Sequence, residues 1–362
     1  MLNVKTPSQL YKEAHAGNYA MIRTKGDDVV NHALDSRIER EERWTKKQST
    51  TVHMDKMWKD CQEKLTPQAP LDNHPQEKTG NPVKIAKKAM KDSVSKQTIQ
   101  DWNTKVKKLT FQGDFVKLLI DEEENATWKI FSNNIPKGVL SFTLKACSNG
   151  LNTPDNLKRW GIRKTNKCVL CKNPSNLQHI LNWCPKALSE GRFTWRHNSV
   201  LSHLSTNLKK NIPEELELFA DIPEFWLNGS TFPPDVLCTS SRPDLVIIDR
   251  KKKHIELLEL TCSFETNIES ANIRKTRRYN DIKTDLQKGG WNVSLVPFEV
   301  GSRGLMSRRN RDSLISVFKR NQINLKHTLL FKELAKISLL CSYAIFQAHC
   351  VHTWRDPPFL HP

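Results

Sequence analysis

The chain has 362 residues, a formal net charge of +18 and a hydrophobic fraction of only 37%. That length suits two or three modest domains, and the low apolar content predicts that part of the chain is extended, or helical with little core. The excess of Lys and Arg calls for a polyanionic partner; no amphipathic anchor or lipidation motif accompanies it, so nucleic acid is favoured over a membrane surface.

The N-terminus lacks the apolar run of a signal peptide. Val29 to Lys47 reads as a helix whose alternating charges Arg37, Glu39, Arg40, Glu41 and Arg43 form a solvated face. Just before it, Gly26-Asp27-Asp28 imitates a polymerase motif. Polar Arg23-Thr24-Lys25 flanks it, so the match reads as chance. Thr66 to Pro82 is rich in Pro, Asn and Gln and reads as a linker. The basic run Lys84, Lys87, Lys88, Lys91 and Lys96 is then either a solvated tether or a phosphate-contacting segment. One or two helices are expected over Ile99 to Glu124, and an apolar element over Gly138 to Asn149.

Cys168, Cys171, His179 and Cys184 follow with the spacing C-x2-C-x7-H-x4-C. Two cysteines separated by two residues grip one ion from a tight turn, and the later His and Cys close the site. Three thiolates and one imidazole make a closed tetrahedral structural Zn2+ site, with no open position for catalysis. Asn173, Pro174 and Ser175 supply the intervening turn. Nine cysteines without a secretory signal are consistent with an intracellular chain. Basic and aromatic residues flank the cluster, among them Trp160, Arg163, Lys164, Trp195 and Arg196. Arg163, Lys164 and Arg196 are candidate nucleic-acid contacts; Trp160 and Trp195 are either base-stacking or local core.

Short helical pieces, including Ser199 to Lys210, lead into a segment interrupted by Pro213, Pro223, Pro233 and Pro234. The apolar runs Leu245 to Ile248 and Ile255 to Leu260 then bracket the basic loop Arg250 to Lys253, which predicts a β-hairpin. A turn centred between Lys251 and Lys252 sets Asp244 directly across from Glu259, with β-carbons about 5 Å apart. Two carboxylates that close, in an apolar setting, call for a cation between them, such as Mg2+ or Mn2+. Phosphodiester hydrolysis is the reaction class this suggests. An ordinary hairpin with charged edges is the bland alternative, and a one-residue slip would part the pair.

Thr266 to Glu269 has a capping-box pattern that opens a helix ending at Gly289-Gly290, followed by a strand over Asn292 to Val300. Lys275, Arg278 and Tyr279 share one face of that helix. Asn310 to His349 reads as one or two helices. Its most apolar part, Ile337 to Cys350, is too short to span a bilayer and reads as buried.

Pro243-Asp244, fourteen residues and Glu259 resemble the core of PD-(D/E)XK nucleases. More closely, Arg242-Pro243-Asp244 with Glu259, downstream of a CCHC knuckle, resembles the restriction-like endonuclease of site-specific non-LTR retrotransposons. The segments Trp195 to Leu201, Glu259 to Glu265, Phe298 to Gly304 and Trp354 to Pro358 are also similar to that family. The resemblance implies nicking of target DNA, whose freed 3′ hydroxyl primes copying of the element RNA. It implies Asp244 and Glu259 as ligands of a catalytic Mg2+ or Mn2+. Thr261 stands where the usual core has its lysine; the family moves a basic residue into the next helix, so Lys275 or Arg278 is the expected substitute. No Tyr-x-Asp-Asp polymerase motif is present.

The expected fold is α+β: a helical N-terminal half, a small CCHC zinc knuckle, then a restriction-endonuclease-like mixed sheet flanked by helices. The expected divisions are 1–65, a helical remnant trailing a polymerase thumb; 66–137, basic linker and helices; 138–210, the zinc-knuckle region; and 211–362, the nuclease. Expected catalytic residues are Asp244, Glu259 and Lys275, with Arg242, Arg278, Arg163, Lys164 and Arg196 on nucleic acid. DNA and element RNA are the expected partners, and the nucleus the expected location. The competing expectation is a nucleic-acid-binding remnant without catalysis. A third acidic ligand is open among Glu215, Glu217 and Asp221.

Overall fold

A computed structural model describes residues 7–45, 49–65, 81–110, 113–121, 135–227, 232–351 and 354–359. Residues 66–80 of the linker predicted over 66–82 lie outside the described residues, as do residues 111–112 and 122–124 of the predicted helical stretch; Pro82 itself opens a helix. Two compact units emerge, one from residues 3–108 and one from residue 109 onward.

The first unit is helical: α1 (Pro7–Lys25), α2 (Asp28–Thr45), α3 (Thr50–Leu65) and α4 (Pro82–Lys107). Ala16, Tyr19 and Ala20 of α1 pack with Met54 and Trp58 of α3 and with Ala86, Met90 and Val94 of α4. Those α4 positions recur every four residues, which places one apolar stripe on the core and leaves Lys84, Lys88 and Lys96 exposed. The basic run, expected to be either a tether or a phosphate-contacting segment, lies on a helix belonging to the N-terminal unit, which removes the tether alternative. Tyr19 donates to Asp55 at 2.6 Å, and Arg23 reaches Asp55 at 3.1 Å and Asp35 at 2.6 Å. The Asp27 carboxylate accepts the Val30 N–H at 2.9 Å, so Gly26-Asp27-Asp28 serves as the junction that caps α2.

The second unit begins with α5 (Asp114–Asp121), α6 (Lys137–Cys147) and α7 (Pro154–Arg159). The cysteine segment comes next, then α8 (Pro185–Ser189) and α9 (Arg192–Asn211). The rest comprises β1 (Leu216–Ala220), β2 (Leu245–Asp249), β3 (His254–Thr261), α10 (Ile268–Lys288), β4 (Asn292–Glu299), α11 (Arg308–Arg320) and α12 (His327–Gln347). The four strands form one sheet in the order β1-β2-β3-β4. The first two pairings are antiparallel; β3 and β4 are parallel, with α10 as the crossover such a pair requires. In the hairpin, Leu245 faces Leu258 and Asp249 faces His254, the register that follows from a turn between Lys251 and Lys252.

Both faces of the sheet are covered. Val246, Ile248, Ile255 and Leu257 meet Tyr279, Ile282 and Leu286 of α10. Leu245, Ile247, Leu258 and Leu260 share a core with Leu201 and Leu204 of α9 and Leu334 and Ile337 of α12. This explains why β2 reads as an unbroken apolar run rather than an alternating one.

Three expectations are corrected. Phe142, Leu177 and Leu181 belong to the same core as the sheet, so no boundary at 210/211 separates a knuckle domain from the strands and helices beyond it. Arg303 reinforces that union: buried and paired with Glu265 at 2.7 Å, it lies over the rings of Phe115 and Phe264. The capping box does not form, because the Thr266 hydroxyl bonds Asn267 and a 3-10 turn over Glu265–Asn267 leads into α10. Finally, α9 begins at Arg192, seven residues before the predicted start at Ser199. Among the described residues, no helix is long and apolar enough to cross a membrane.

Candidate functional site: a carboxylate cleft and a cysteine cluster

The carboxylate cleft is built where the hairpin meets α10. Ala271, Tyr279, Ile282 and Leu286 form the buried stripe of that helix, and Lys275 lies on the same stripe, four residues from both Ala271 and Tyr279. A lysine on a core-facing stripe needs charge partners. Its Nζ finds two, Asp244 Oδ2 and Glu259 Oε2, each at 2.9 Å. The two acids also brace the strand ends. The Asp244 N–H donates to Glu259 at 3.2 Å, and the Leu260 N–H donates to Asp244 at 2.8 Å. The Glu259 side chain is fully buried, and that of Asp244 nearly so.

The electrostatics follow from this crowding. Burial opposes ionisation of Asp244, but His197 and Lys275 outweigh it and hold its pKa well below the usual carboxylate range. Burial, and then the neighbouring Asp244 charge, push Glu259 well above that range. Burial disfavours the Lys275 ammonium, yet both carboxylates overcome this and raise its pKa. The site thus holds two acids of opposite tendency around one cation.

His197 is the residue that sequence reasoning missed as a site member. Its Nε2 lies 3.4 Å from Asp244 Oδ2. Burial lowers the affinity of its ring for a proton, but Asp244 more than restores it. Asp221 is the predicted third-acid candidate that reaches the cleft; it lines it together with His197, Asn198, Trp226, Arg242 and Lys275 in a volume of about 540 Å³. Glu217 instead pairs with Arg250 near the hairpin turn, and Glu215 is exposed. Arg242 is exposed, 3.5 Å from Asp221, and its carbonyl accepts the Tyr279 hydroxyl at 3.2 Å. Arg278 is exposed over the Tyr279 ring, whereas Lys275 meets the acids. The hard oxygen donors of Asp244 and Glu259 suit a divalent cation, and the Lys275 ammonium marks where positive charge is stabilised between them.

The second cluster is a knot of sulfur and nitrogen. The ligand atoms of Cys168, Cys171, His179 and Cys184 lie within 4.8 Å of one another. Cys171 Sγ is 3.2 Å from His179 Nε2, and Cys168 Sγ is 3.9 Å from Cys184 Sγ. A tight turn delivers the first pair: Cys168 N–H donates to Asn173 at 2.7 Å, and Lys172 takes a positive φ of 66°. Asn176 caps the His179 N–H at 2.8 Å, and Cys184 stands at the start of α8. Burial disfavours the Cys168 thiolate, but N–H groups of Cys171 and Leu170 point at it and lower its pKa. Burial alone lowers that of His179, which keeps the ring neutral as a ligand must be. Three sulfurs and one nitrogen at this spacing fit structural zinc.

The flanking basic residues divide. Arg163 and Lys164 are exposed, as is Trp160. Arg196 is not available to nucleic acid: it is fully buried and donates to Ser342 Oγ and to the Cys262 carbonyl, each at 3.0 Å. Trp195 is core, and its indole N–H bonds the Pro357 carbonyl at 2.8 Å. A signal for both exists in the sequence, since Arg192, Trp195, Arg196, Ser199 and Val200 fall on one helical stripe.

Residues 114–189 match the family model described as zinc-binding in reverse transcriptase. The match spans α5 through α8, contains all four clustered ligands, and supports a retroelement origin for the chain. No curated protein matches the chain. The residues after 189, which hold the carboxylate cleft, lie outside the matched span. Residues 114–189 are therefore similar to the zinc-binding segment of reverse-transcriptase proteins, and they share a core with the mixed sheet that follows.

Proposed function

We propose that the cleft is a metal-dependent DNA endonuclease site of the PD-(D/E)XK type, and that the zinc segment beside it in sequence binds nucleic acid in retrotransposition. The observation that carries this reading is the Lys275 ammonium at 2.9 Å from both Asp244 and Glu259. Two buried acids and a lysine from the crossover helix constitute the minimum such hydrolysis needs: a cation-binding pair and a positive group for the phosphate.

Asp244 and Glu259 would hold Mg2+ or Mn2+, which when bound stabilises charge on the phosphoryl oxygens and acidifies water. Lys275 faces the same point and neutralises the phosphate or orients the attacking water. His197 fixes Asp244 from α9, and Tyr279 fixes the Arg242 backbone just before it. Arg242, which lines the cleft, and Arg278, exposed over the Tyr279 ring, contact neighbouring phosphates, as do Arg163 and Lys164 in the zinc segment. Water attack at phosphorus expels the 3′ oxygen as a hydroxyl, the group a polymerase extends. Target DNA and element RNA are the corresponding partners, and the nucleus the corresponding compartment.

The test is conversion of supercoiled plasmid to the nicked form by zinc-loaded protein with Mg2+ or Mn2+. Nicking that disappears in Asp244→Ala supports the assignment. Salt-sensitive binding without cleavage under either metal would favour a nucleic-acid-binding remnant instead.

A further inference from the structure

One aromatic side chain of the cleft lining, Trp226, takes no part in the proposed hydrolysis. It remains 38% exposed, a large aromatic surface left to water. Its orientation is fixed. The indole Nε1 donates to Asp221 Oδ1 at 3.2 Å, and the Arg242 guanidinium lies 5.2 Å from the ring centroid. Arg242 Nε is itself 3.5 Å from Asp221, so one carboxylate holds both the indole and the cation stacked on it. Asp221 is in turn anchored to the hairpin, its N–H donating to the Asp244 carbonyl at 2.9 Å. The platform is therefore one backbone hydrogen bond from the acid that Lys275 binds.

An aromatic face with a guanidinium against it suits a nucleobase, because every base offers a π-face and the cation serves the attached phosphate. A ring already locked in place loses little entropy when a second ring stacks on it. Size agrees: a cleft of about 540 Å³ is of the class that takes small organic groups, and Thr194 and Asn198 add hydrogen-bonding groups to its lining. The formal charge of +18 favours this polyanion-borne occupant over an uncharged peptide.

We propose that Trp226 and Arg242 form a stacking platform for one unpaired nucleobase beside the Asp244–Glu259–Lys275 site, so that the cleft engages strands with a splayed base more tightly than a bare phosphate backbone. The location of the adjoining phosphate rests on the nuclease reading; the stacking does not.

The experiment measures equilibrium binding of labelled oligothymidine, and of an abasic strand of equal length, by fluorescence anisotropy without divalent cation. Wild-type protein should bind the base-bearing strand about tenfold or more tightly than the abasic one. Trp226→Ala should reduce that ratio by about tenfold while leaving abasic binding unchanged, and Trp226→Phe should retain part of it. An unchanged ratio in Trp226→Ala, or equal affinities in the wild type, would overturn the proposal. If Trp226→Ala does not fold, photocrosslinking of a 5-iodouracil strand to wild-type protein reads the same claim: a crosslink on the Trp226 peptide supports it, and its absence refutes it. Neither assay involves cleavage, so a failure of nicking leaves the result intact, and the converse holds.

Discussion

Replacing Lys275 with Met removes the cation while keeping the length and apolar stem of the side chain on the buried stripe of α10. The wild-type ammonium is 2.9 Å from each acid, and the acids are sealed by the sheet and helix. Removing one partner of such a buried constellation costs roughly 3–5 kcal/mol while the remaining charges persist. In a unit of about 250 residues that corresponds to a fall in Tm on the order of 6–20 °C. The cost depends on pH. Without the ammonium, burial and the Asp244 charge hold a proton on Glu259 more tightly folded than unfolded, while His197 still favours the ionised form of Asp244. Through Glu259, stability is then retained at acid pH and lost as pH rises through the ordinary carboxylate range toward its raised folded value. Mn2+ should restore the variant more than the wild type, because it would supply the missing positive charge between the same oxygens. Calorimetry of both proteins between pH 5 and 8, with and without Mn2+, reads all three effects. A variant whose Tm deficit is the same at every pH and indifferent to Mn2+ would show that Lys275 is not answering these carboxylates.

Other expectations rest on single contacts. Cys171→Ser should reduce bound zinc from about one per chain to near zero and expose residues 151–189 to protease, read by metal analysis and limited proteolysis. Arg196→Ala should cost about 1–3 kcal/mol in denaturant melts by stranding Ser342 and the Cys262 carbonyl, with the salt dependence of DNA binding unchanged. Arg163→Ala should do the reverse, leaving stability intact and lowering the slope of log affinity against log salt by about one.

Much of the cleft is legible in the sequence because two signals are local. The apolar runs on either side of Arg250–Lys253 fix the hairpin register, and the register alone sets Asp244 opposite Glu259. The spacing of Lys275 from Tyr279 puts both on one helical face, although only the structure shows that this face is the buried one. The four zinc ligands are likewise close in sequence. The features that escape depend on long-range packing. His197 reaches Asp244 from a helix far earlier in the chain, so nothing near either residue announces the pair. Arg196 reads as a surface cation from its basic and aromatic neighbours, yet its partners come from α12 and the end of β3. The predicted division into knuckle and nuclease fails for the same reason: side chains of α6, α9, α11 and α12 enter one core with the sheet, and composition shifts along the chain do not report shared cores. In the N-terminal unit, the lysines of α4 suggest a tether or a phosphate-contacting segment and mask the Ala86–Met90–Val94 stripe.

The most direct measurement is single-turnover nicking of plasmid DNA in Mg2+ by Glu259→Gln, whose side chain has nearly the same volume in the same buried position. The account predicts a protein that keeps its zinc and its affinity for DNA while its nicking rate falls by about two orders of magnitude or more, the scale expected when a catalytic electrostatic contact is lost. Nicking at the wild-type rate by that variant would contradict it.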